Sequence, residues 1–118
     1  MLSGATLPLS PGAQLIDLVY IDDVVDAYIL CTDLLPLQEI WHVRYGVSSG
    51  HPRTLREIVA VIEATLDITL PGKWGQRPYR NREVMIPWAQ STPPPDWVPK
   101  TSLEIGIART MKLGDNPR

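Results

Sequence analysis

Ile16-Asp17-Leu18-Val19-Tyr20-Ile21-Asp22-Asp23-Val24-Val25-Asp26-Ala27-Tyr28 is the stretch on which the fold turns. Leu15 to Ile21 carries the β-branched and aromatic residues of a strand. The aspartate pair then ends that run and opens a helix. Asp22 or Asp23 is placed to cap it, because a carboxylate there accepts from free backbone N–H groups and meets the positive end of the helix dipole. Val24, Ala27, Tyr28, Cys31 and Leu34 recur at helical spacing and predict one apolar face. The helix is expected to reach about Leu35, where Pro36 stops it.

Outward from this junction the pattern continues. Residues 1–13 are rich in Pro, Gly and Ser and read as a loop or frayed end. Downstream, Trp41, Val43, Tyr45 and Val47 alternate with His42, Arg44 and Gly46, the mark of a half-buried strand from Trp41 to Val47. Ser48-Ser49-Gly50-His51-Pro52 forms a turn. Thr54-Leu55-Arg56-Glu57 is a capping box that opens a second helix, with Leu55, Ile58, Val59, Ile62 and Leu66 on its apolar face. Ile68-Thr69-Leu70 is a short strand candidate. Residues 71–99 form a long Pro-rich connector on the ligand side, in which Trp74, Tyr79, Trp88 and Trp97 serve as anchors. Thr101-Ser102-Leu103-Glu104 opens a last helix, with Leu103, Ile107 and Met111 on one face, that ends near Gly114. The expected architecture is α/β, in a single domain over residues 1–118, with three main helices and a few short, mostly parallel strands.

Composition narrows the function classes. The chain has 118 residues and a net charge of −2, which gives no reason to expect nucleic-acid binding. No run approaches the roughly 18 apolar residues of a membrane span. A single cysteine, Cys31, excludes an internal disulfide and suits a reducing cytoplasm, the expected location. Cys31 falls on a helix face and reads as an inert core thiol. Charge is unevenly distributed. Residues 1–40 hold six acids and no Lys or Arg, while residues 73–82 hold Lys73, Arg77, Arg80 and Arg82 and no acid. That basic loop suggests a small anionic ligand. Asp22, Asp23 and Asp26 read as caps rather than as metal ligands. His42 and His51 have no neighbour in sequence that suggests acid–base work.

Four segments in one order carry a resemblance. They are the opening stretch, Tyr45-Gly46-Val47-Ser48-Ser49-Gly50 with Thr54-Leu55-Arg56-Glu57-Ile58-Val59, Pro78-Tyr79-Arg80-Asn81-Arg82-Glu83-Val84-Met85, and Trp97-Val98-Pro99-Lys100-Thr101-Ser102-Leu103-Glu104-Ile105-Gly106. Together they resemble the C-terminal, substrate-binding part of the NAD-dependent epimerase/dehydratases, extended short-chain dehydrogenases that act on nucleotide sugars. Many members have an arginine where this chain has Ile16, and Gln14-Leu15-Ile16-Asp17 is closer to members that make deoxysugars. The glycine-rich turn of a dinucleotide site does not occur in the sequence. Nor does the family's Tyr-x-x-x-Lys pair: the residues four places after Tyr20, Tyr28, Tyr45 and Tyr79 are Val24, Thr32, Ser49 and Glu83. The resemblance therefore implies a lobe without the Rossmann half. No cofactor and no catalytic residue is expected in this chain, and NAD or NADP is implied only for the full-length family.

The implied ligand is the diphosphate of a nucleotide sugar. Arg80 takes the family's diphosphate position, and Arg77 is a possible helper, since a guanidinium gives two parallel hydrogen bonds to phosphate oxygens. Tyr79 and Gln14 complete the expected substrate-binding set. Against this stands a plainer reading, in which Arg77, Arg80 and Arg82 form a solvated loop or pair with the acidic first helix. The isolated chain is expected not to catalyse, and to self-associate or bind a Rossmann-half partner through the faces left bare. The competing class is a non-enzymatic interaction module, or a truncated gene product that keeps the fold.

Overall fold

The computed structural model describes residues 6–37, 43–88 and 90–114. In chain order the elements are β1 (Leu7–Pro8), β2 (Leu15–Ile16), α1 (Ile21–Leu34), a 3₁₀ turn (Leu35–Leu37), β3 (Arg53–Thr54), α2 (Leu55–Leu66), β4 (Gly72–Lys73) and α3 (Leu103–Gly114). The α/β class and the three main helices are as expected. The strands divide evenly: β1 pairs with β4 in parallel, and β2 pairs with β3 antiparallel. Contacts gather the chain into two compact units, one from Met1–Ile16 and Pro52–Pro87, the other from Asp17–His51 and Trp88–Arg118.

The first unit is built around α2. Thr54 is extended and its side chain accepts a hydrogen bond from the Glu57 N–H at 3.1 Å, as the capping box predicts. Ile58 is buried, and Leu55, Val59, Ile62 and Leu66 are half-buried on the predicted face. Thr54→Ala should cost about 1 kcal/mol, the usual worth of such a cap, and a urea melt followed by circular dichroism measures it. Ile68-Thr69-Leu70 is not a strand. Asp67 turns left-handed (φ 53) and the Ile68 N–H returns to the Glu63 carbonyl. The Leu70 N–H goes to the Glu63 carboxylate at 2.9 Å. The helix end uses these donors, so none is left for a ladder.

The opening junction, where the chain leaves the first unit for the second, differs from expectation. The predicted strand from Leu15 to Ile21 shrinks to Leu15–Ile16, because only those residues meet partners, Thr54 and Arg53. The residue at the N-terminal boundary of α1 is Tyr20, with no side-chain bond, and neither Asp22 nor Asp23 caps the helix. Asp23 turns elsewhere. Its Oδ2 accepts from the N–H groups of Lys100 (3.1 Å) and Thr101 (2.9 Å), and its carbonyl accepts from Trp97 Nε1 at 2.8 Å. Asp17 holds the following turn by accepting from the Ser49 N–H at 3.0 Å and from the Ser49 hydroxyl.

Of the predicted strand Trp41–Val47, Trp41 and His42 lie outside the described residues, and Val43 to Val47 form no ladder. The Gly46 N–H bonds the Thr92 carbonyl at 2.8 Å. Pro93, Pro94 and Pro95 follow and have no N–H to extend the pairing. The approach is close: a Cβ on Gly46 would fall 1.8 Å from the Ser91 hydroxyl oxygen. At α3 the Ser102 hydroxyl accepts from the Ile105 N–H at 3.3 Å, and Gly106 packs under the Tyr20 ring.

Candidate ligand site

The first unit straps the basic loop onto the segment before β2. Beyond the β1–β4 pair, the Leu9 N–H bonds the Lys73 carbonyl (2.9 Å), the Arg77 N–H bonds the Leu9 carbonyl (3.0 Å), and the Leu15 N–H bonds the Met85 carbonyl (2.8 Å). The Ala13 N–H donates to the Tyr79 hydroxyl at 3.0 Å. Residues 71–85 thus have many of their backbone groups paired despite little regular structure. Arg56 braces the same region, donating from Nε to the Pro11 carbonyl at 2.6 Å with its guanidinium 5.0 Å above the Trp74 ring. That contact makes Trp74 a packing residue.

Gln14 lies at the centre of this strap and is 6% exposed. Its Nε2 donates to the Ser10 hydroxyl and to the Glu83 carboxylate, each at 3.3 Å. A carboxylate only accepts, so the amide nitrogen must face Glu83 and the orientation is fixed. Gln14 Oε1 is buried and has no hydrogen-bond partner among the described residues. The Glu83 N–H returns to the Arg80 carbonyl at 3.0 Å, closing a four-residue turn in which Arg82 takes φ 66.

Among the expected site residues, Gln14 and Tyr79 hold the strap from inside, while Arg77 and Arg80 are exposed on its outer side. No ion pair engages Arg77, Arg80 or Arg82 among the described residues. Glu83 and Ser10 complete the cluster and were not anticipated. Glu83 is the only acid in residues 73–83, which is the one sequence signal that marked it. Trp88 is not an anchor, being 74% exposed, whereas Trp97 is buried as expected.

The second unit holds an apolar groove of about 570 Å³ against α1, lined by Val24, Ala27, Tyr28, Cys31, Val43 and Val47 among others. Cys31 is half-buried on its wall rather than enclosed in a core. Among the described residues no three His, Cys, Asp or Glu side chains gather as a metal site, and no helix is long and apolar enough to cross a membrane.

No family model matches the chain. A curated relative, the CDP-abequose synthase of Yersinia pseudotuberculosis, is 38% identical over 87 residues, covering 72% of this chain and 29% of that protein. A UDP-glucose-4-epimerase from Stenotrophomonas maltophila, solved with NAD and formylated UDP-arabinopyranose, superimposes with TM-score 0.76 at 15% identity, over 92% of this chain and 36% of its own. RMD from Pseudomonas aeruginosa, complexed with NADPH, gives TM-score 0.62 at 18% identity, over 86% and 33%. The ADP-L-glycero-D-manno-heptose-6-epimerase of Helicobacter pylori gives 0.65 at 23% identity, over 94% and 33%. The chain spans about a third of the length of these relatives. Its fold and the shared sequence place it, over that part of their length, in the NAD-dependent epimerase/dehydratase family of extended short-chain dehydrogenases.

Proposed function

We propose that this polypeptide is the substrate-binding lobe of an enzyme that oxidises and reduces a sugar carbon of a nucleotide sugar, by epimerisation, dehydration or ketoreduction. Arg80 neutralises the diphosphate, Arg77 on the same loop is its helper, and Tyr79 and Gln14 hold the loop that carries both. The observation that carries this reading is the pair of exposed arginines, without an ion pair among the described residues, on a loop fastened at several points to residues 9–15. The fastened backbone limits how much of the loop must be ordered when a guanidinium meets phosphate, so binding energy from this remote group can position the sugar.

The described residues do not fit a dinucleotide. Neither strand-to-helix junction, after Ile16 or after Thr54, contains a glycine to let the backbone approach a pyrophosphate. NAD or NADP is therefore assigned to polypeptide other than these residues, and no chemical step is routed through them. A reducing cytoplasm fits the lone thiol Cys31.

Isothermal calorimetry of the purified chain with UDP, CDP, ADP and inorganic pyrophosphate tests the reading. Arg80→Ala should weaken nucleoside-diphosphate binding about tenfold, the loss of one charge-assisted contact, while Arg82→Ala stays close to wild type. Absence of binding, or equal affinity for wild type and Arg80→Ala, would refute the ligand role. Incubation with NAD(P) and nucleotide sugars should give no turnover.

A second reading, an interaction module, draws on α1. Ile21, Val25, Tyr28 and Ile29 are exposed at 61, 46, 71 and 55%, and a helix apolar on so many sides ordinarily lies in an interior. Light scattering separates the cases: association without nucleotide-diphosphate binding favours the module.

A further inference from the structure

We propose that Arg53 is a further diphosphate contact, closing on the same anion as Arg80 from the β3 side. The inference rests on the diphosphate role of Arg80 proposed above.

The register places this side chain. β2 and β3 run antiparallel, with Leu15 opposite Thr54 and Ile16 opposite Arg53. Residues directly opposite in such a pair share one face, with Cβ atoms about 5 Å apart. The pairing extends one step back, because the Leu55 N–H donates to the Gln14 carbonyl at 3.1 Å. Side chains alternate along an extended strand, so residues 14 and 16 leave on one face and Leu15 on the other. Gln14 marks where that face leads, since its Nε2 meets Glu83, the last residue of the turn that Arg80 opens. On its other edge β2 is tied to the same loop by the bond from the Leu15 N–H to the Met85 carbonyl, at 2.8 Å. Two residues of strand span about 6.5 Å, and the ends of a turn lie within about 7 Å. Two arginines reaching inward across such a gap can each hold one phosphate of a diphosphate.

The electrostatics of α2 favour an anion at the same place. Arg53 directly precedes Thr54, the N-terminal cap of this helix of 12 residues. The helix dipole puts positive potential there, which favours an anion and opposes a cation. The first N–H groups of α2 are already engaged, Leu55 with the Gln14 carbonyl, Arg56 with the Gly12 carbonyl and Glu57 with the Thr54 hydroxyl. The helix end therefore lends its field and not its donors, and the hydrogen bonds to phosphate come from the Arg53 guanidinium. Arg53 is half-buried, whereas Arg77, Arg80 and Arg82 are exposed. A charge contact made there is less screened by solvent than one made by the outer loop.

The test is calorimetric titration of the full chain with UDP and with pyrophosphate. Arg53→Met keeps the stem and removes the guanidinium, and should weaken both ligands about tenfold. A role in packing alone predicts lower stability with unchanged affinity, and that result would overturn the inference. The exchange Arg53→Ile/Ile16→Arg carries the guanidinium across the ladder to the facing strand, on the same face. It should recover affinity to within about threefold of wild type, and an exchange variant as weak as Arg53→Met would count against a ligand contact. If the Arg53 variants do not fold, Ile16→Arg alone decides. It adds a guanidinium beside Arg53 and should tighten both ligands, so unchanged or weaker binding would show that this face does not meet the diphosphate. Arg80→Ala, titrated alongside, keeps the two proposals apart. A loss in Arg80→Ala with none in Arg53→Met removes Arg53 and leaves Arg80 in place. Wild type that binds neither probe removes the reading beneath both.

Discussion

Asp23→Ala is expected to lower the melting temperature by about 10 °C. Asp23 is 3% exposed and sits in the first turn of α1. One carboxylate oxygen receives two backbone N–H groups, from Lys100 and Thr101, at the approach to α3. Hydrogen bonds to a charged acceptor are worth about 1.5–3 kcal/mol each, and both donors lose their partner at once. The loss should be about 3 kcal/mol, a large share of the stability of a chain this size. Asp23→Asn retains an acceptor oxygen and should lose roughly half as much. A scanning-calorimetry series of wild type, Asp23→Asn and Asp23→Ala in that order of melting temperature would support this account. Asp23→Ala melting within experimental error of wild type would show that water replaces the carboxylate.

Gly12→Val should cost about 3 kcal/mol in the first unit, for two independent reasons. Gly12 holds φ 78, a conformation that an L side chain enters at a cost of about 1–2 kcal/mol. A Cβ there would also lie 2.4 Å from Trp74 Cζ3 and 2.8 Å from Arg56 Cγ, and crowding of this kind adds about 1–3 kcal/mol. The two neighbours are themselves stacked and support the strap that carries Arg77 and Arg80. Gly12→Ala suffers the same backbone conformation with less bulk and should lose less. Urea midpoints for the three proteins check the order, and a Gly12→Val midpoint equal to wild type would mean that Trp74 moves aside freely.

The sequence was most legible where structure is local. Thr54, Glu57 and the stripe from Leu55 to Leu66 lie in one short window, so cap, period and length all point to α2. Ser102 and the stripe through Ile107 do the same for α3. The strands were not legible. A ladder needs a second segment, and nothing within Leu15 to Ile21 says that only two residues will find partners in Arg53 and Thr54. Asp23 shows the same limit. In sequence it is an acid at a helix start, which favours a cap, but its partners stand 77 and 78 residues away. The candidate site divides along the same line. The arginines were visible as a run of like charge, whereas Tyr79 meets Ala13 across 66 residues and Gln14 meets Glu83 across 69. Those pairings depend on how β1 and β4 align, and no local pattern encodes that.

The two units are braided along the polypeptide. The chain passes from one to the other after Ile16, after His51 and after Pro87. A single recombination breakpoint anywhere between residues 17 and 87 therefore divides at least one unit across the join. Neither unit can be shuffled as one contiguous cassette. Inheritance of this piece is all or nothing, and a gene that acquires it must take both strands of the braid together.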